Sequence, residues 1–367
     1  MRKIGRHRRK KQNKFLIIGS LSLLLFLCVG YAAFSTELNL KAKGNIKEKS
    51  RVIQSWSSSA QTDFHSYFYK QNIVSVTFLD NNNVPSNATE SWNVSEDKEN
   101  GGVMAWVIPS SNDNTKYDLY IGAKSGVIAN EDSSYLFREF RSVVSIEFNN
   151  NFDTSNVVNM SQMFNNCTSL VQLDLSSFDT TNVTSMFSMF CMWDNGFPEN
   201  KLQNIIFGEK FITDNVTSMR DMFAGLTELQ SLDLRNFNTG NVTDMYHMFN
   251  RCRSLQNLDL RSFNTSKVTN MEQMFGRCIN LESLDLSSFD TGNVTTMSQM
   301  FYECSKLKSL NLCSFNTQNI ITMYQMFCNT ENLTQINVGP NWTMANVTDA
   351  FQMFQNSGVS SVTTGQC

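Results

Sequence analysis

From residue 143 onward, the hydrophobic and polar positions of the chain follow a pattern that returns about every 26 residues. A clear copy is Leu281–Phe301, with the sequence LESLDLSSFDTGNVTTMSQMF. Its closing unit, Met-x-x-Met-Phe, recurs with phenylalanine at positions 164, 190, 223, 249, 275, 301 and 327, and a degenerate unit ends at Phe354. The successive spacings are 26, 33, 26, 26, 26, 26 and 27 residues. Such self-similarity predicts a solenoid of stacked repeats rather than one packed domain.

Two periodicities within one repeat predict two kinds of secondary structure. In Leu255–Phe275, the alternation Leu-Asp-Leu at 258–260 predicts a short strand with its leucines inward. The Met-x-x-Met-Phe unit at 271–275 places apolar residues at i, i+3 and i+4, which is typical of one face of a short helix. Each element has only one apolar side, so a repeat must pack on its neighbours to bury it. We therefore expect an α/β solenoid of strand–turn–short-helix coils.

The first 35 residues combine a basic cluster with an apolar segment. Residues 1–14 contain eight Lys and Arg and no acidic residue, and residues 15–34 are uncharged and mostly apolar. This order is typical of either a cleaved signal peptide or an uncleaved membrane anchor, with the basic end cytoplasmic. A lipid anchor on Cys28 is less well supported, because Leu27 precedes it. We expect residues 1–35 to export the chain to the cell surface or the medium, with a membrane attachment if uncleaved.

Residues 36–142 lack the 26-residue period and divide into two parts. Residues 36–72 are polar and poor in aliphatic residues, which is typical of a linker. In residues 73–142, apolar runs at 74–79, 103–108 and 117–121 predict three strands, and residues 130–140 predict a capped short helix. We expect 73–142 to be a mainly β cap that covers the open apolar end of the first repeat, and 143–367 to contain eight repeats.

The charge balance and the histidine content exclude two classes of function. Of 30 Lys and Arg, eight lie in residues 1–14, which leaves 22 against 33 Asp and Glu in the rest of the chain. This acidic remainder argues against nucleic-acid binding. The three histidines, His7, His65 and His247, have no matched partner motif, so we predict no catalytic centre, metal site or cofactor. An enzymatic function within residues 36–142 is the hypothesis that ranks last.

One position of each repeat, between the two inward strand residues, is predicted to point outward. Its occupants are Glu147, Asp174, Ile206, Asp233, Asp259, Asp285, Asn311 and Asn337. Stacked carboxylates about 4.8 Å apart repel each other unless they are paired or hydrated. Arg235 and Arg261, two residues further along the same face, are placed to neutralise Asp233 and Asp259.

This outward column supports two hypotheses. In the first, it binds a partner, with a divalent cation as an option. In the second, it is a solvated polar surface that keeps the repeats soluble. The candidate binding residues are Asp174, Ile206, Asp233, Arg235, Asp259, Arg261 and Asp285.

A second candidate site is the insertion that interrupts the period between Phe190 and Leu202. Its residues 191–201 contain Trp193 and Phe197, which are unusual in a loop. Insertions in solenoids form loops, often on the binding side, so these aromatic side chains are candidates to anchor a partner. The alternative, that both fold back onto the repeats, is equally supported.

Polar and sulfur-containing residues also recur in columns. The residue before the turn Val or Ile is Asn in seven of eight repeats, and we expect its amide to satisfy turn backbone groups of neighbouring repeats. Cys167, Cys252, Cys278 and Cys304 share one position. Disulfides between neighbours are one interpretation, but a column of small buried side chains is favoured. Cys313, at an outward strand position, and Cys367, at the last position, are each candidates for an exposed thiol.

The repeat sequence LDLSSFDTGNVTTMSQMFYECSKL resembles the repeat of bacterial BspA-like leucine-rich-repeat surface proteins, also found in mycoplasma-type surface lipoproteins. The cap sequence from SVTFLD to SSYLF resembles the segment that precedes such repeats, so the resemblance covers about residues 73–354. It implies a leucine-rich-repeat-like stack in a surface protein that binds extracellular or host-surface proteins, with no enzymatic activity. A structural or self-assembling surface spacer is the alternative function, and self-association is then expected.

Overall fold

The protein is represented by a computed structural model that describes residues 49–56, 62–192, 200–365 and 367. The predicted export segment, residues 1–35, lies outside this part of the chain. The elements, in chain order, are α1 (Tyr67–Asn72), β1 (Ile73–Leu79), β2 (Glu90–Asn93), β3 (Met104–Pro109), β4 (Tyr117–Gly122), β5 (Val127–Ile128), β6 (Ser145–Glu147), β7 (Phe152–Asp153), β8 (Gln172–Leu175), β9 (Asn204–Phe207), β10 (Ser309–Leu312), β11 (Gln335–Val338) and β12 (Thr363–Thr364).

A five-stranded sheet precedes the repeats, with strand order β2-β3-β4-β1-β6. The three strands predicted at 74–79, 103–108 and 117–121 are confirmed as β1, β3 and β4. Strand β1 pairs in parallel with both β4 and β6, and β6 belongs to the first repeat. The sheet therefore continues directly into the repeat region.

The predicted α/β solenoid of leucine-rich-repeat-like strand–turn–short-helix coils is wrong. Among the described residues, the single α-helix is α1, which lies outside the repeats, and each Met-x-x-Met-Phe unit is a series of turns. Apart from β6, the strands of the repeats lie in small separate sheets, β8-β9, β10-β11-β12 and the pair of β7 with β5, which precedes the repeats. The Leu-Asp-Leu segments at 232–234, 258–260 and 284–286 bury their leucines but are not β-strands. The helix predicted at 130–140 is also replaced by turns.

The backbone of the Met-x-x-Met-Phe unit explains why no helix forms. The third residue of the unit has a left-handed backbone in all eight repeats, for example φ +52° at Gln273. A right-handed helix cannot include such a residue. The amides of the unit instead bond to the next repeat, as Gln273 donates to the carbonyl of Ser298 (2.9 Å) and Phe275 to that of Met300 (3.0 Å). The i, i+3, i+4 pattern therefore correctly indicates which side chains are buried, but the backbone that buries them is not helical.

Consecutive repeats lie in parallel register and share one hydrophobic core. Single parallel β-bridges connect Asn159, Ser185, Ser218, Asp244, Asn270, Thr296, Thr322 and Asp349 in that order. The phenylalanines that close the units stack face to face. The ring centroids of Phe249 and Phe275, and of Phe275 and Phe301, are each 5.8 Å apart. Residues 132–140 add a further unit ahead of the eight, because Phe137 stacks on Phe164 at 5.7 Å.

The predicted role of the asparagine column is confirmed where the structure gives its bonds. The side-chain amide of each donates to a turn carbonyl of the preceding repeat, for example Asn241 to Asp214 (2.8 Å) and Asn293 to Ser266 (2.6 Å). These bonds satisfy backbone groups that the turns would otherwise leave without a partner.

The cysteine column is confirmed as a set of small buried side chains. Cys167, Cys252, Cys278 and Cys304 are free and fully buried. The thiol of Cys278 donates to the carbonyl of Phe249 (3.2 Å). Burial raises the pKa of Cys278 to about 12, so its thiol is unreactive at neutral pH.

Cys313 and Cys367, the two candidates for an exposed thiol, instead form a disulfide with each other. They are 54 residues apart, about two repeats, and their Cα atoms lie 5.7 Å apart. Cys313 directly follows β10, and β12, which ends at Thr364, pairs with β11 beside it. The register of the last repeats thus brings the two residues together.

Candidate functional site

We define the outward face as Asp174, Ile206, Asp233, Arg235, Asp259, Arg261 and Asp285, the residues that the sequence selects. The six charged side chains are exposed, and Ile206 is half-buried. Asp174 and Ile206 are register neighbours in the parallel pair β8 and β9. The other five follow buried leucines in the next three repeats, where the alternation of burial continues without strand pairing.

Each aspartate of the outward face has a local structural role. Its carboxylate accepts a hydrogen bond from the amide two residues later, as Asp174 does from Ser176 (2.8 Å) and Asp285 from Ser287 (3.0 Å). Asn311 makes the same turn with the amide of Cys313 (3.1 Å). Where this side-chain hydrogen bond is made, it needs an oxygen at this position but not a negative charge.

Two aspartates of the outward face are also paired with arginines, as the sequence predicts. Arg235 Nη2 lies 2.6 Å from Asp233 Oδ2, and Arg261 Nη2 lies 2.6 Å from Asp259 Oδ2. The hydrogen bonds from Arg261 lower the pKa of Asp259 to about 2. Those from Arg235 lower the pKa of Asp233. Both carboxylates are therefore ionised at neutral pH.

The charges of neighbouring repeats act on one another across this face. The pKa of Arg261 is raised first by its hydrogen bonds with Asp259 and further by the charge of Asp285 in the next repeat. The pKa of Arg235 is raised mainly by Asp233 and further by Asp259. Negative and positive groups thus alternate over three repeats, which gives the face a charge pattern that a complementary partner can match.

The chemistry available on this face is ionic contact and hydrogen bonding. Within the described ranges, no group of three or more His, Cys, Asp or Glu side chains is arranged to hold a metal ion. Likewise, no helix in the part of the chain that the structure describes is both long and apolar enough to cross a membrane.

In the second candidate site, the insertion at 191–201, residues 193–199 with both Trp193 and Phe197 lie outside the described residues. Its flanks are anchored, because Met192 is buried and the amide of Lys201 donates to the carbonyl of Thr168 (3.0 Å). Asn200 is also buried and donates its side-chain amide to the carbonyl of Gly225.

The structure also brings together a group of side chains that the sequence did not predict. His247 Nδ1 lies 3.1 Å from Asp221 Oδ1, and the His247 side chain is buried. The guanidinium of Arg220 lies 3.9 Å from the ring centroid of Tyr246, which stacks on His247. Residues 221 and 247 both occupy the third position of their units. The 26-residue period could therefore have predicted that Asp221 and His247 are neighbours.

Together, these features define a repeat protein with an exposed, charged face and a continuous core of stacked phenylalanines. A family model described as "Mycoplasma protein of unknown function, DUF285" matches residues 132–195, 192–283 and 256–363. These ranges cover more than half of the chain, which therefore belongs to the DUF285 family. The first match begins at the unit of residues 132–140 that precedes the eight repeats. No curated protein matches the chain.

Proposed function

We propose that this chain is a bacterial surface protein of the BspA-like kind that binds an extracellular or host-surface protein through its outward face. Binding would use many modest contacts along several repeats rather than one deep pocket. The proposal includes no enzymatic activity, cofactor or nucleic-acid partner. It includes export by residues 1–35, with a membrane attachment if that segment is not cleaved.

The observation that carries this proposal is the charge pair of Asp259 and Arg261. The turn at this position is made equally well by an uncharged residue at Asn311. Arg261 is exposed and contributes its charge only at the surface. Local folding therefore does not account for the charges, and this supports a role in recognising a complementary surface.

Two further features support a location outside the cytoplasm. Cys313 and Cys367 form a disulfide, and disulfides form and persist mainly in oxidising compartments outside the cytoplasm. The basic cluster and apolar segment of residues 1–34 have the order of an export signal.

The experiment is a binding screen of the purified chain against extracellular-matrix and host-surface proteins. It compares the wild type with the triple variant Arg235→Gln, Asp259→Asn and Arg261→Gln. This variant removes the charges but keeps a side-chain oxygen for the turn at position 259. Saturable binding that the triple variant loses would support the proposal.

The matched control is the double variant Asp179→Asn and Lys210→Gln. It removes another ion pair, between the exposed Lys210 and the half-buried Asp179, with 3.1 Å between Lys210 Nζ and Asp179 Oδ2, and keeps the turn bond to Thr181. We expect it to bind as the wild type does. Binding that the triple variant retains would move the site to the insertion at 191–201.

A structural or self-assembling surface spacer is the second candidate function. It is favoured by the last repeat, where the aromatic side chain of Phe351 is 65% exposed. A folded chain that binds no protein in the screen and forms concentration-dependent oligomers would favour this function over the first.

A further inference from the structure

Along the outward side of the repeats, consecutive repeats meet in two different ways. We call the strand of each repeat, or the four residues equivalent to it, its outward segment. The segments β8 and β9, β10 and β11, and β11 and β12 meet at closed junctions, where parallel strand pairing bonds their backbones. The junction of β6 with β8 and the four junctions from β9 to β10 are open, because no strand pairing joins these segments within the described residues.

The three outward segments between β9 and β10 have backbone amides that lack an acceptor. In the part of the chain that the structure describes, this holds for the amides of residues 231–234, 257–260 and 283–286. A side chain compensates in part at these junctions, since Ser262 Oγ donates to the carbonyl of Leu234 (3.3 Å). Ser288 makes the equivalent bond one repeat later (3.2 Å). The open junctions are therefore the part of each repeat where the backbone has the weakest hydrogen bonding.

The residue that directly follows an outward segment distinguishes the two kinds of junction. Glycine occupies this position in the later repeat of each closed junction, at Gly208, Gly339 and Gly365. A residue with a side chain occupies it in the later repeat of each open junction, at Ser176, Arg235, Arg261, Ser287 and Cys313. The kind of residue therefore correlates with closure at all eight junctions.

The close approach of the backbones explains this correlation. A Cβ atom at Gly208 would lie 2.1 Å from the carbonyl oxygen of Ser176, which has the same position one repeat earlier. A Cβ atom at Gly339 would lie 2.2 Å from the carbonyl oxygen of Cys313. Both distances are far below van der Waals contact, so a side chain there requires the two repeats to move apart. Gly365 has open space around its Cβ position, but its φ of +79° favours glycine.

The opposite side of the repeats is bonded at the same junctions. The amide of Phe223 donates to the carbonyl of Met248 (3.0 Å), and the amide of Phe249 donates to that of Met274 (2.9 Å). The stacked phenylalanines lie on this side as well. Consecutive repeats are thus fixed at their Met-x-x-Met-Phe units and separated at their outward segments, which allows them to rotate about the units.

We propose that the four open junctions form an adjustable section of the outward side, and that the residue after each outward segment determines whether a junction opens. Glycine at this position lets the strands pair, and any side chain keeps them apart. The section carries Asp233, Asp259 and Asp285, so the spacing between these charges can change. Arg235 and Arg261 act here through their Cβ atoms as well as through their charges. This device does not depend on whether the outward face binds a partner.

The test is hydrogen–deuterium exchange of the full chain, measured by mass spectrometry of its peptides. The variant Ser287→Gly gives an open junction the residue of a closed one. The variant Ser287→Ala is the matched control, because it also removes the hydroxyl but keeps the Cβ atom. We expect Ser287→Gly to slow exchange in residues 257–260 and 283–286 by about tenfold, and Ser287→Ala to exchange as the wild type does.

The reciprocal variant, Gly208→Ala, adds a Cβ atom to a closed junction. We expect exchange in residues 172–175 and 204–207 to become faster by about tenfold or more. Residues 219–223 should stay as protected as in the wild type, which shows that the repeats remain folded. The control is Gly240→Ala, in a turn where an added Cβ atom would lie 3.2 Å from the nearest atom. It should leave the exchange of both strands unchanged.

Three results would each overturn the proposal. The first is the same exchange in Ser287→Gly and Ser287→Ala. The second is unchanged protection of residues 204–207 in Gly208→Ala. The third is exchange in the wild type that is as slow in residues 283–286 as in residues 204–207, because the junctions would then not be open.

Discussion

The hydroxyl of Thr239 makes two hydrogen bonds with the backbone of Asn264, one repeat further along the chain. It donates to the carbonyl over 2.9 Å and accepts from the amide over 2.8 Å. Thr265 donates in the same way to Asp290 (2.7 Å), and Thr291 to Asn316 (2.9 Å). These threonines are fully buried. They hold the repeats in register where β-strand pairing is absent.

The first prediction concerns this threonine column. Replacing Thr239 with Val keeps the shape of the side chain but removes both hydrogen bonds to the backbone of Asn264. We expect the free energy of unfolding to fall by about 1–3 kcal/mol, measured by chemical denaturation.

The matched control for this prediction is Thr243→Val. Thr243 is exposed, and Val158 and Ile321 occupy the equivalent position in other repeats. We expect this change to have little effect on stability. Equal destabilisation by the two substitutions would contradict the role assigned to the buried column.

The second prediction tests the left-handed backbone of the Met-x-x-Met-Phe unit. Gln299 has φ +56°, and both Gln299→Gly and Gln299→Ala remove its side-chain bond to Gln325 (2.7 Å). Glycine adopts this backbone without strain, whereas alanine pays roughly 1–2 kcal/mol. We expect the glycine variant to be the more stable by about 1 kcal/mol in denaturant unfolding. A helix would give the opposite order, because alanine favours helices over glycine by about 1 kcal/mol.

The sequence predicted which side chains of this unit are buried but not its backbone. Met271, Met274 and Phe275 are fully buried, as the i, i+3, i+4 spacing indicates. The spacing of apolar residues does not show which carbonyls accept the hydrogen bonds of the backbone amides. The decisive feature is the bond from Gln273 to Ser298 in the next repeat, which depends on tertiary structure. Hydrophobic periodicity alone therefore selected the wrong secondary structure.

The outward face was more predictable than the contacts between distant positions. The pairing of Asp259 with Arg261 follows from a separation of two residues on one exposed edge. The disulfide of Cys313 with Cys367 depends on the path of the tail after the last repeat, which has no counterpart in the repeat pattern. The Asp221–His247 contact requires the register between neighbouring units.

The third prediction concerns cysteine reactivity. In the native chain, Cys252, Cys278 and Cys304 should resist alkylation, because they are buried and burial raises the pKa of each thiol. After reduction, Cys313 and Cys367 should be modified first. Mass spectrometry of the alkylated peptides measures the order. Modification of Cys278 in the folded, oxidised chain would contradict the assignment.

The fourth prediction concerns the stability contributed by this disulfide. In the chain-entropy account, a link across 54 residues stabilises the folded state by up to about 4 kcal/mol. We expect Cys313→Ser to lower the midpoint of thermal unfolding, with no further decrease when a reductant is added. A large effect of the reductant on the Cys313→Ser variant would show that another disulfide contributes.

The fifth prediction concerns pH and His65. Burial lowers the pKa of His65 below its ordinary value of 6.5, so the folded state favours the neutral ring. The unfolded chain then binds the proton more readily, and stability is full above about pH 6.5. It decreases as the pH falls from there toward the lowered pKa. Denaturant unfolding between about pH 7.5 and 5 should show this decrease.

The variant His65→Gln keeps a side-chain donor toward the carbonyl of Leu136 and does not titrate. We expect it to flatten the pH dependence in this window. The carboxylates of Asp233, Asp259 and Asp285 have lowered pKa values, so their contributions change only in a more acidic range. The same slope in the wild type and in His65→Gln would assign the effect to another group.

The most direct test of the proposed function is the affinity of the outward face for the partner that the binding screen identifies. Biolayer interferometry would compare the wild type, the triple variant of Arg235, Asp259 and Arg261, and the control variant of Asp179 and Lys210, at low and high salt. We expect the wild type and the control to bind the partner with equal affinity, and we expect both affinities to fall as the salt concentration rises. The triple variant should lose most of the affinity and most of its dependence on salt. Equal affinity and equal salt dependence of all three folded proteins would contradict the claim that this face is the binding surface.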